Sequence, residues 1–169
     1  MTVNHDAYDK DYLADILREA RTIAVVGASP NEARPSYGVM RFLLSRGYHV
    51  IPVNPGQAGK EILGQPTYAS LADIPEPVDM VDVFRASEYL NEVVEDALAL
   101  DPHPKVIWSQ LSVRDDFAAR KAEEAGIKVV MDRCPAIEIP RLGLEAAPSQ
   151  PSMNSGLARS AFRWSALPQ

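Results

Sequence analysis

The sequence contains little cysteine and lacks any long run of apolar residues. Its 169 residues include one cysteine, so an internal disulfide bond is excluded. No segment approaches the roughly 18 consecutive apolar residues that a membrane-spanning helix requires. The opening residues, MTVNHDAYDKDY, carry acids where a signal peptide has a basic start and an apolar core. We therefore expect a cytoplasmic protein that has no contact with a membrane.

Positive charge is also scarce, because 17 lysines and arginines stand against 23 aspartates and glutamates and give a net charge of −6. This balance excludes a surface built to cover the phosphates of nucleic acid. The three histidines and the cysteine are too dispersed for the ligand spacing of a zinc or iron site, so no metal is predicted. An anionic ligand must therefore be held by a local group of residues.

The length predicts a single folded domain with a boundary near the end of the chain. We expect the domain to span 1–145, and the segment 146–169, which has many serines and no acids, to be a flexible tail. Phe162 and Trp164 in this segment raise a second hypothesis, in which the protein is an interaction module that binds a partner through its tail. In that case any nucleotide pocket in the domain would be vestigial. A homodimer is expected on the general ground that closed dimers are the commonest assembly.

Short β-branched runs alternate along the chain with longer segments of helical spacing. Strands are predicted at 22–29, 49–55, 78–84, 105–110 and 127–132, with a short edge strand near Thr67 and Tyr68. Helices are predicted at 8–20, 37–45 and 113–125, and another after Ser87, which is expected to be its N-cap. This alternation predicts an α/β fold, a doubly wound, mostly parallel, Rossmann-like sheet of five to six strands with helices on both faces.

The loop after the first strand is a candidate for ligand binding, because ligands of a doubly wound sheet bind beyond the carboxyl ends of its strands. Gly27 and Ala28 are small enough for a ligand to approach their backbone closely. The helix that follows turns its free N–H groups and the positive end of its dipole toward the same point. This loop is therefore predicted to hold a phosphate or pyrophosphate group.

Two features argue against NAD as the ligand. A dinucleotide-binding loop reads G-x-G-x-x-G, whereas the segment from Gly27 is GASPNE and has only the first glycine. The second strand ends in Asn54, where NAD-binding proteins carry an acid that accepts the ribose hydroxyls. Arg34, Lys60 and Arg85 favour a ligand with an additional phosphate, unless they are solvated surface charges. An NAD(P)-dependent oxidoreductase stays an alternative, since Arg34 could bind the 2′-phosphate of NADP.

The chain resembles the small CoA-binding proteins in four stretches, VVGASPNEARPSYGV, GYHVIPVNP, EILGQPTYASLADIPEPVDMVDVFR and VVMDRCPAIE. These proteins are single Rossmann-like domains similar to the N-terminal domain of the succinyl-CoA synthetase alpha subunit, and the resemblance covers about residues 13–142. It implies that the chain binds coenzyme A or an acyl-CoA, with the pyrophosphate at the first loop and the ribose phosphate at the second. The residues implied for this ligand are Gly27, Ala28, Ser29, Arg34, Tyr37, Asn54, Pro55, Lys60, Phe84, Arg85 and Gln110.

The resemblance to the synthetases also raises the question of catalysis. Those enzymes use a phosphorylated histidine carried by a second domain. In this chain, His5 lies near the start, and His49 and His103 precede strands, on the side opposite the predicted pocket. Asp132 and Glu138 lack a partner that would make them an acid–base pair. No catalytic residue is therefore predicted, and any catalysis is expected to need a separate partner protein.

Cys134 follows the last strand and is the residue suited to covalent chemistry with a thiol ligand. The resemblance implies that its Cys-Pro step lies near the CoA thiol, and the adjacent Arg133 would favour the thiolate. A mixed disulfide with CoA is one hypothesis, and a small buried thiol that packs under a loop is the other. We include Cys134 among the candidate ligand-binding residues.

Overall fold

The computed structural model of the chain describes residues 2–144, which form a five-stranded parallel sheet with helices on both faces. The strands are β1 (Thr22–Val26), β2 (His49–Val53), β3 (Glu61–Ile62), β4 (Gln65–Pro66), β5 (Met80–Val83), β6 (Val106–Ser109) and β7 (Lys128–Val130). The helices are α1 (Lys10–Glu19), α2 (Pro35–Ser45), α3 (Leu90–Leu98), α4 (Asp116–Glu124) and α5 (Pro135–Arg141). The strand order is β2-β1-β5-β6-β7, and β3 and β4 form a separate antiparallel hairpin. The predicted doubly wound, Rossmann-like fold is confirmed.

Each face of the sheet packs against its own layer of helices. On one face, Ile23, Val25 and Met80 join a buried cluster with residues of α1, α2 and α5. On the other face, Ala24 and Val81 join a cluster with residues of α3 and α4. Because successive side chains of a strand point to opposite faces, both sets are buried and the strands read as continuous apolar runs.

The structure contains one helix that the sequence did not indicate and one that begins differently. The pattern missed α5, which is 7 residues long and contains Pro140, because it is too short for a helical period to emerge. The prediction that Ser87 caps the third helix is wrong, since a 3-10 turn precedes α3. The Ser87 hydroxyl instead donates to the Ser112 carbonyl oxygen (3.2 Å) and accepts from the Arg114 N–H (2.9 Å), which ties it to the loop after β6.

The edge of the sheet at β2 is extended by a single bridge. The short strand predicted near Thr67 and Tyr68 is reduced to a single parallel bridge between Tyr68 and Val53. Tyr68 follows the β3–β4 hairpin. The Tyr68 N–H donates to the Pro52 carbonyl oxygen (3.1 Å), and the Asn54 N–H donates to that of Tyr68 (2.9 Å). These bonds hold the beginning of the loop after β2 against the sheet.

The opposite edge, at β7, is occupied by the residues that precede β1. The Tyr12 hydroxyl donates to the Val129 carbonyl oxygen (2.9 Å) and accepts from the Val129 N–H (3.2 Å), and the Tyr8 hydroxyl accepts from the Met131 N–H (2.7 Å). Burial raises the pKa of Tyr12 to about 12, so this hydroxyl keeps the proton that it donates. Backbone groups of an edge strand that would otherwise be open to pairing with another chain are thus satisfied.

The segment 146–169, with Phe162 and Trp164, lies outside the described residues, so the flexible tail and the tail-docking hypothesis stay predictions. The same holds for the domain boundary at 145 and for the homodimer. No helix within residues 2–144 is both long and apolar enough to cross a membrane.

Candidate functional site

A cleft of about 520 Å³ opens at the carboxyl ends of the strands. It lies where β1 meets β5, the point at which the order of the strands reverses. Its walls are the loops after β1, β5 and β6 together with the first turn of α2. The lining residues are Gly27, Ala28, Ser29, Arg34, Pro35, Ser36, Asn54, Phe84, Arg85, Ala86, Gln110, Leu111 and Val113.

The structure brings most of the predicted ligand-binding residues together at this cleft, and four of them lie outside its lining. Tyr37 follows Ser36 on α2, and its ring lies 5.8 Å from the Arg41 guanidinium. Pro55 begins an exposed 3-10 turn that leads the chain away, and Lys60 is exposed beyond that turn. The predicted residues that line the cleft are Gly27, Ala28, Ser29, Arg34, Asn54, Phe84, Arg85 and Gln110. The predicted residues outside the lining are Tyr37, Pro55, Lys60 and Cys134.

Gly27 joins two walls of the cleft. Its φ of +88° lies in the region that favours glycine. A Cβ at this position would lie 3.1 Å from the carbonyl carbon and oxygen of Phe84 and 3.2 Å from Cγ of Arg85. The sequence predicts a close approach between this glycine and a ligand. In the structure, a Cβ at this position would instead point to the neighbouring loop after β5. The close approach that the glycine permits is therefore between two parts of the protein.

The N–H groups of the loop after β1 are already bonded within the protein. Those of Gly27 and Ala28 both donate to the Val53 carbonyl oxygen, at 3.1 and 3.3 Å. That of Ser29 donates to Oγ of Ser36 (3.1 Å), a residue that is 3% exposed. The feature of this region that favours an anion is therefore the positive end of the α2 dipole more than the N–H groups of the glycine loop.

Asn54 holds the loops after β1 and β2 together. Its Nδ2 donates to the Ala28 carbonyl oxygen (2.7 Å), and its Oδ1 accepts from the Gly56 N–H (2.8 Å). Both ends of the carboxamide are thus engaged by the backbone. Asn54 shapes the cleft by fixing the distance between its walls.

The three predicted cations have different surroundings. Arg34 is exposed at the N-terminal end of α2, and its guanidinium forms no ion pair with any residue in the range 2–144. The Arg85 guanidinium lies 4.2 Å from the centre of the Tyr89 ring, with one nitrogen 3.6 Å from Oε1 of Glu92. Lys60 is exposed outside the lining. Arg34 is therefore the cation best placed to bind an anion in the cleft.

The loop after β6 is held in a strained conformation beside the cleft. Ser112 in this loop has a φ of 71°, and Asp132, which follows β7, has a φ of 59°. Residues other than glycine rarely adopt these values. Oδ1 of Asp132 accepts from the Ser112 N–H (2.7 Å), while the Ser112 carbonyl oxygen accepts from Ser87. These bonds fix Leu111 and Val113 along one wall and give Asp132 a structural partner.

Cys134 lies in the core away from the cleft. It is 6% exposed and belongs to the same buried cluster as Trp108, whose Nε1 donates to the Arg133 carbonyl oxygen (2.9 Å). The neighbouring Glu138 is paired with Arg141. Since β7 lies two strands away from β5, its carboxyl end is remote from the switch point. These contacts favour the hypothesis of a buried structural thiol.

Asp82 is a buried acid that the sequence analysis did not single out. It lies in register with Val25 and Trp108, is 0% exposed, and neither carboxyl oxygen has a hydrogen-bond partner within the described residues. Burial raises the pKa of this carboxyl well above its usual value. The available signal was an acid inside the apolar run VDMVDVF, at a position that shares the face of Met80. Asp82 thus lies beneath the cleft wall formed by Phe84.

His5 and His49 contact other parts of the chain, outside the cleft lining. Nδ1 of His5 lies 2.6 Å from the Tyr8 hydroxyl, and its Nε2 lies 3.2 Å from Oε2 of Glu123. Nε2 of His49 lies 3.1 Å from Oε1 of Glu76. Within residues 2–144, no group of histidine, cysteine and acidic side chains is arranged to hold a metal ion.

A doubly wound parallel sheet with a helix end aimed at a cleft at its switch point defines a nucleotide-binding domain of the Rossmann-like class. Residues 21–140 match the family model of the CoA binding domain. The chain belongs to the CoA-binding domain family.

Relatives of the chain are of two sizes. It is 38% identical over 125 residues to the uncharacterized protein YneT of Bacillus subtilis, a match that covers 74% of this chain and 90% of YneT. The structure of cell-free ID.343 from Thermus thermophilus has 42% identity and a TM-score of 0.74, and the match covers 79% of this chain and 98% of that one. The ADP-forming acetate–CoA ligase I of Archaeoglobus fulgidus is 30% identical over 122 residues, which are 68% of this chain and 18% of the ligase. The chain is thus similar to small proteins along most of their length and to one part of a much longer ligase.

Proposed function

We propose that this chain binds coenzyme A or an acyl-CoA in the cleft at the carboxyl ends of β1, β5 and β6, with its phosphates at α2. The observation that carries the proposal is the position of Arg34, which is unpaired within the described residues and lies at the positive end of α2. A helix dipole and a guanidinium that face the same space both favour a phosphate group there. Membership of the CoA-binding domain family supplies the chemical class of that ligand.

The proposal includes no catalysis by the chain itself. The titratable side chains that line the cleft within residues 2–144 are Arg34 and Arg85, and a guanidinium cannot act as a general base at neutral pH. Cys134, the candidate nucleophile, lies in the core. This chemistry suits a protein that stores CoA or presents it to a separate catalytic partner.

Calorimetric titration of the purified chain with CoA, dephospho-CoA and NADP tests the proposal. CoA is expected to bind, and dephospho-CoA to bind about tenfold more weakly or worse, because a charge-assisted contact with the missing phosphate is lost. Reductant is expected to leave the affinity unchanged, since the Cys134 thiol is buried. Preferential binding of NADP would support an oxidoreductase instead, and the absence of binding by all these ligands would contradict the proposed function.

The substitution Arg34→Ala is expected to weaken CoA binding by about 1.5–3 kcal/mol, because a charge-assisted hydrogen bond to phosphate is lost. The matched control is Arg41→Ala, which removes the same charge from an exposed position further along α2, outside the cleft lining. The control is expected to bind CoA as the parent chain does. Equal affinities of both variants and the parent, measured by calorimetry, would rule out Arg34 as a phosphate contact.

A further inference from the structure

The loop after β6 forms one wall of the cleft through Leu111 and Val113. Its backbone is strained at Ser112, which has a φ of 71°. Leu111 is 49% exposed, so burial of this side chain does little to hold the loop in place. A strained backbone persists only where the surrounding structure imposes it. Arg114, the residue after Val113, makes several of the bonds that do so.

Arg114 connects this loop to three other segments of the chain. Its N–H donates to Oγ of Ser87 in the 3-10 turn before α3 (2.9 Å). Its Nε and Nη2 donate to the two carboxyl oxygens of Asp116 at the start of α4, at 2.7 and 3.1 Å. Its Nη1 donates to Oδ1 of Asp6 (2.7 Å) and to the His5 carbonyl oxygen (3.4 Å). A guanidinium bonded on all its nitrogens is held in one orientation.

The partners of Nη1 belong to a short segment near the N-terminus, residues 4–8, which we call the N-terminal strap. The strap ends at Tyr8, whose hydroxyl accepts from the Met131 N–H at the end of β7 (2.7 Å). The next residue, Asp132, accepts from the Ser112 N–H (2.7 Å). The strap is therefore bonded to the loop after β6 and to the end of β7, and these two segments are bonded to each other.

The N-terminal strap lies outside the part of the chain that defines the family, because the family model matches residues 21–140. No residue of the strap lines the cleft. An effect of the strap on a ligand is therefore indirect and passes through the loops that the strap holds. Two groups that stabilise the same conformation of a loop increase each other's affinity for it.

We propose that the N-terminal strap, acting through Arg114, holds the loop after β6 in the conformation that binds CoA. Arg114 is then a positioning residue, since it bonds the strap and the start of α4 to the cleft wall. Asp6 is 79% exposed, so this part of the strap can open locally while the sheet stays folded. Binding of CoA and attachment of the strap stabilise each other, and a change that releases the strap lowers the affinity for CoA. This inference rests on the proposed function.

The first test is calorimetric titration of CoA into the parent chain, Asp6→Asn and the control Asp15→Asn. Asp15 is also an exposed acid near an arginine, but its partner Arg18 lies on the same helix, α1. Asp6→Asn is expected to bind CoA about three- to fivefold more weakly, because an ion pair at the surface is lost. The control is expected to bind CoA as the parent chain does.

A double-mutant cycle shows whether Asp6 acts through Arg114. Arg114→Met is expected to weaken CoA binding at least as much as Asp6→Asn does. Adding Asp6→Asn to Arg114→Met is expected to cause no further loss, because the bond between the two side chains is already absent. Two independent structural roles would instead give losses that add. If Arg114→Met fails to fold, Arg114→Gln takes its place in the cycle.

Hydrogen exchange at the Met131 amide measures the reverse effect, because this N–H is bonded to Tyr8 only while the strap is attached. Saturating CoA is expected to slow its exchange about threefold or more in the parent chain, and less in Arg114→Met. The control is the Ile127 amide, which donates to the Ala122 carbonyl oxygen (3.1 Å) in the turn before β7, at the opposite end of the sheet. Its exchange is expected to be unaffected by CoA.

Three results would overturn the inference while leaving the proposed function in place. They are equal CoA affinities of the parent chain and Asp6→Asn, additive losses in the double variant, and unchanged exchange at Met131 when CoA is saturating. A parent chain that does not bind CoA would overturn the proposed function itself, and this inference with it.

Discussion

Replacing Gly27 with valine is expected to lower the stability of the protein by roughly 2–5 kcal/mol and to weaken CoA binding at least about tenfold. The φ of +88° is costly for a β-branched residue, and the new Cβ would lie 3.1 Å from the backbone of Phe84. Backbone on both sides of this contact has little freedom to move. The loops after β1 and β5 would therefore separate, which displaces two walls of the cleft. Urea denaturation and calorimetric titration measure the two effects.

A matched glycine separates the strain of the backbone from the contact with Phe84. Gly126 has a φ of +89°, and no heavy atom would lie within 4 Å of a Cβ placed there. Gly126→Val is expected to lose stability through backbone strain alone and to bind CoA with the affinity of the parent chain. Should Gly27→Val bind CoA normally, or be no less stable than the Gly126 variant, the close packing of the two loops would not matter to the cleft.

The arrangement of the sheet could be predicted because its strands are buried on both faces. Such strands are continuous apolar runs, and the glycine or polar residues between them mark the helices and loops. Features that depend on contacts between distant segments could not be predicted in this way. Ser87 has the residue type of an N-cap, yet its hydroxyl bonds to Ser112 and Arg114, which only the folded chain brings near.

The site shows the same division between local pattern and three-dimensional contact. Carboxyl ends of neighbouring parallel strands must meet, and this rule places Phe84 and Gln110 at the cleft beside the loop after β1. The rule does not give the order of the strands. The position of β7 at the far edge keeps Cys134 away from the switch point, and the turn that begins at Pro55 carries Lys60 out of the lining. The roles of these two residues in binding stay predictions.

Hydrogen-bond partners were the least predictable part of the site. The sequence predicts that a phosphate lies close to the backbone of Gly27 and Ala28, but the N–H groups of both residues already donate to the Val53 carbonyl oxygen. Asn54 similarly uses both ends of its carboxamide on the backbone. Residue type shows which groups can bond, while the fold determines which of them remain free for a ligand.

Substitution of Asp82 by asparagine is expected to stabilise the protein at neutral pH by an amount that grows as pH rises. Burial raises the pKa of this carboxyl well above its ordinary value of 3.8, so the folded protein keeps a proton that the unfolded chain releases. At a pH above 3.8, folding therefore requires the uptake of a proton by Asp82. The free energy of unfolding consequently falls as the pH rises toward the pKa of the folded state. The fall is about 1.4 kcal/mol per pH unit in this window. An asparagine of the same shape has no proton to take up.

Urea denaturation of the parent chain and Asp82→Asn between pH 4 and pH 8 measures this difference, with Asp15→Asn as the control. Asp15 is an exposed acid of α1, and its removal is expected to leave the pH dependence of the parent chain unchanged. Parallel curves for the parent and Asp82→Asn would mean that the carboxyl is ionised in the folded state. Because the carboxyl lies beneath the cleft wall rather than in its lining, Asp82→Asn is expected to bind CoA as the parent does at pH 7. A loss of affinity in this variant would instead place the carboxyl in contact with the ligand.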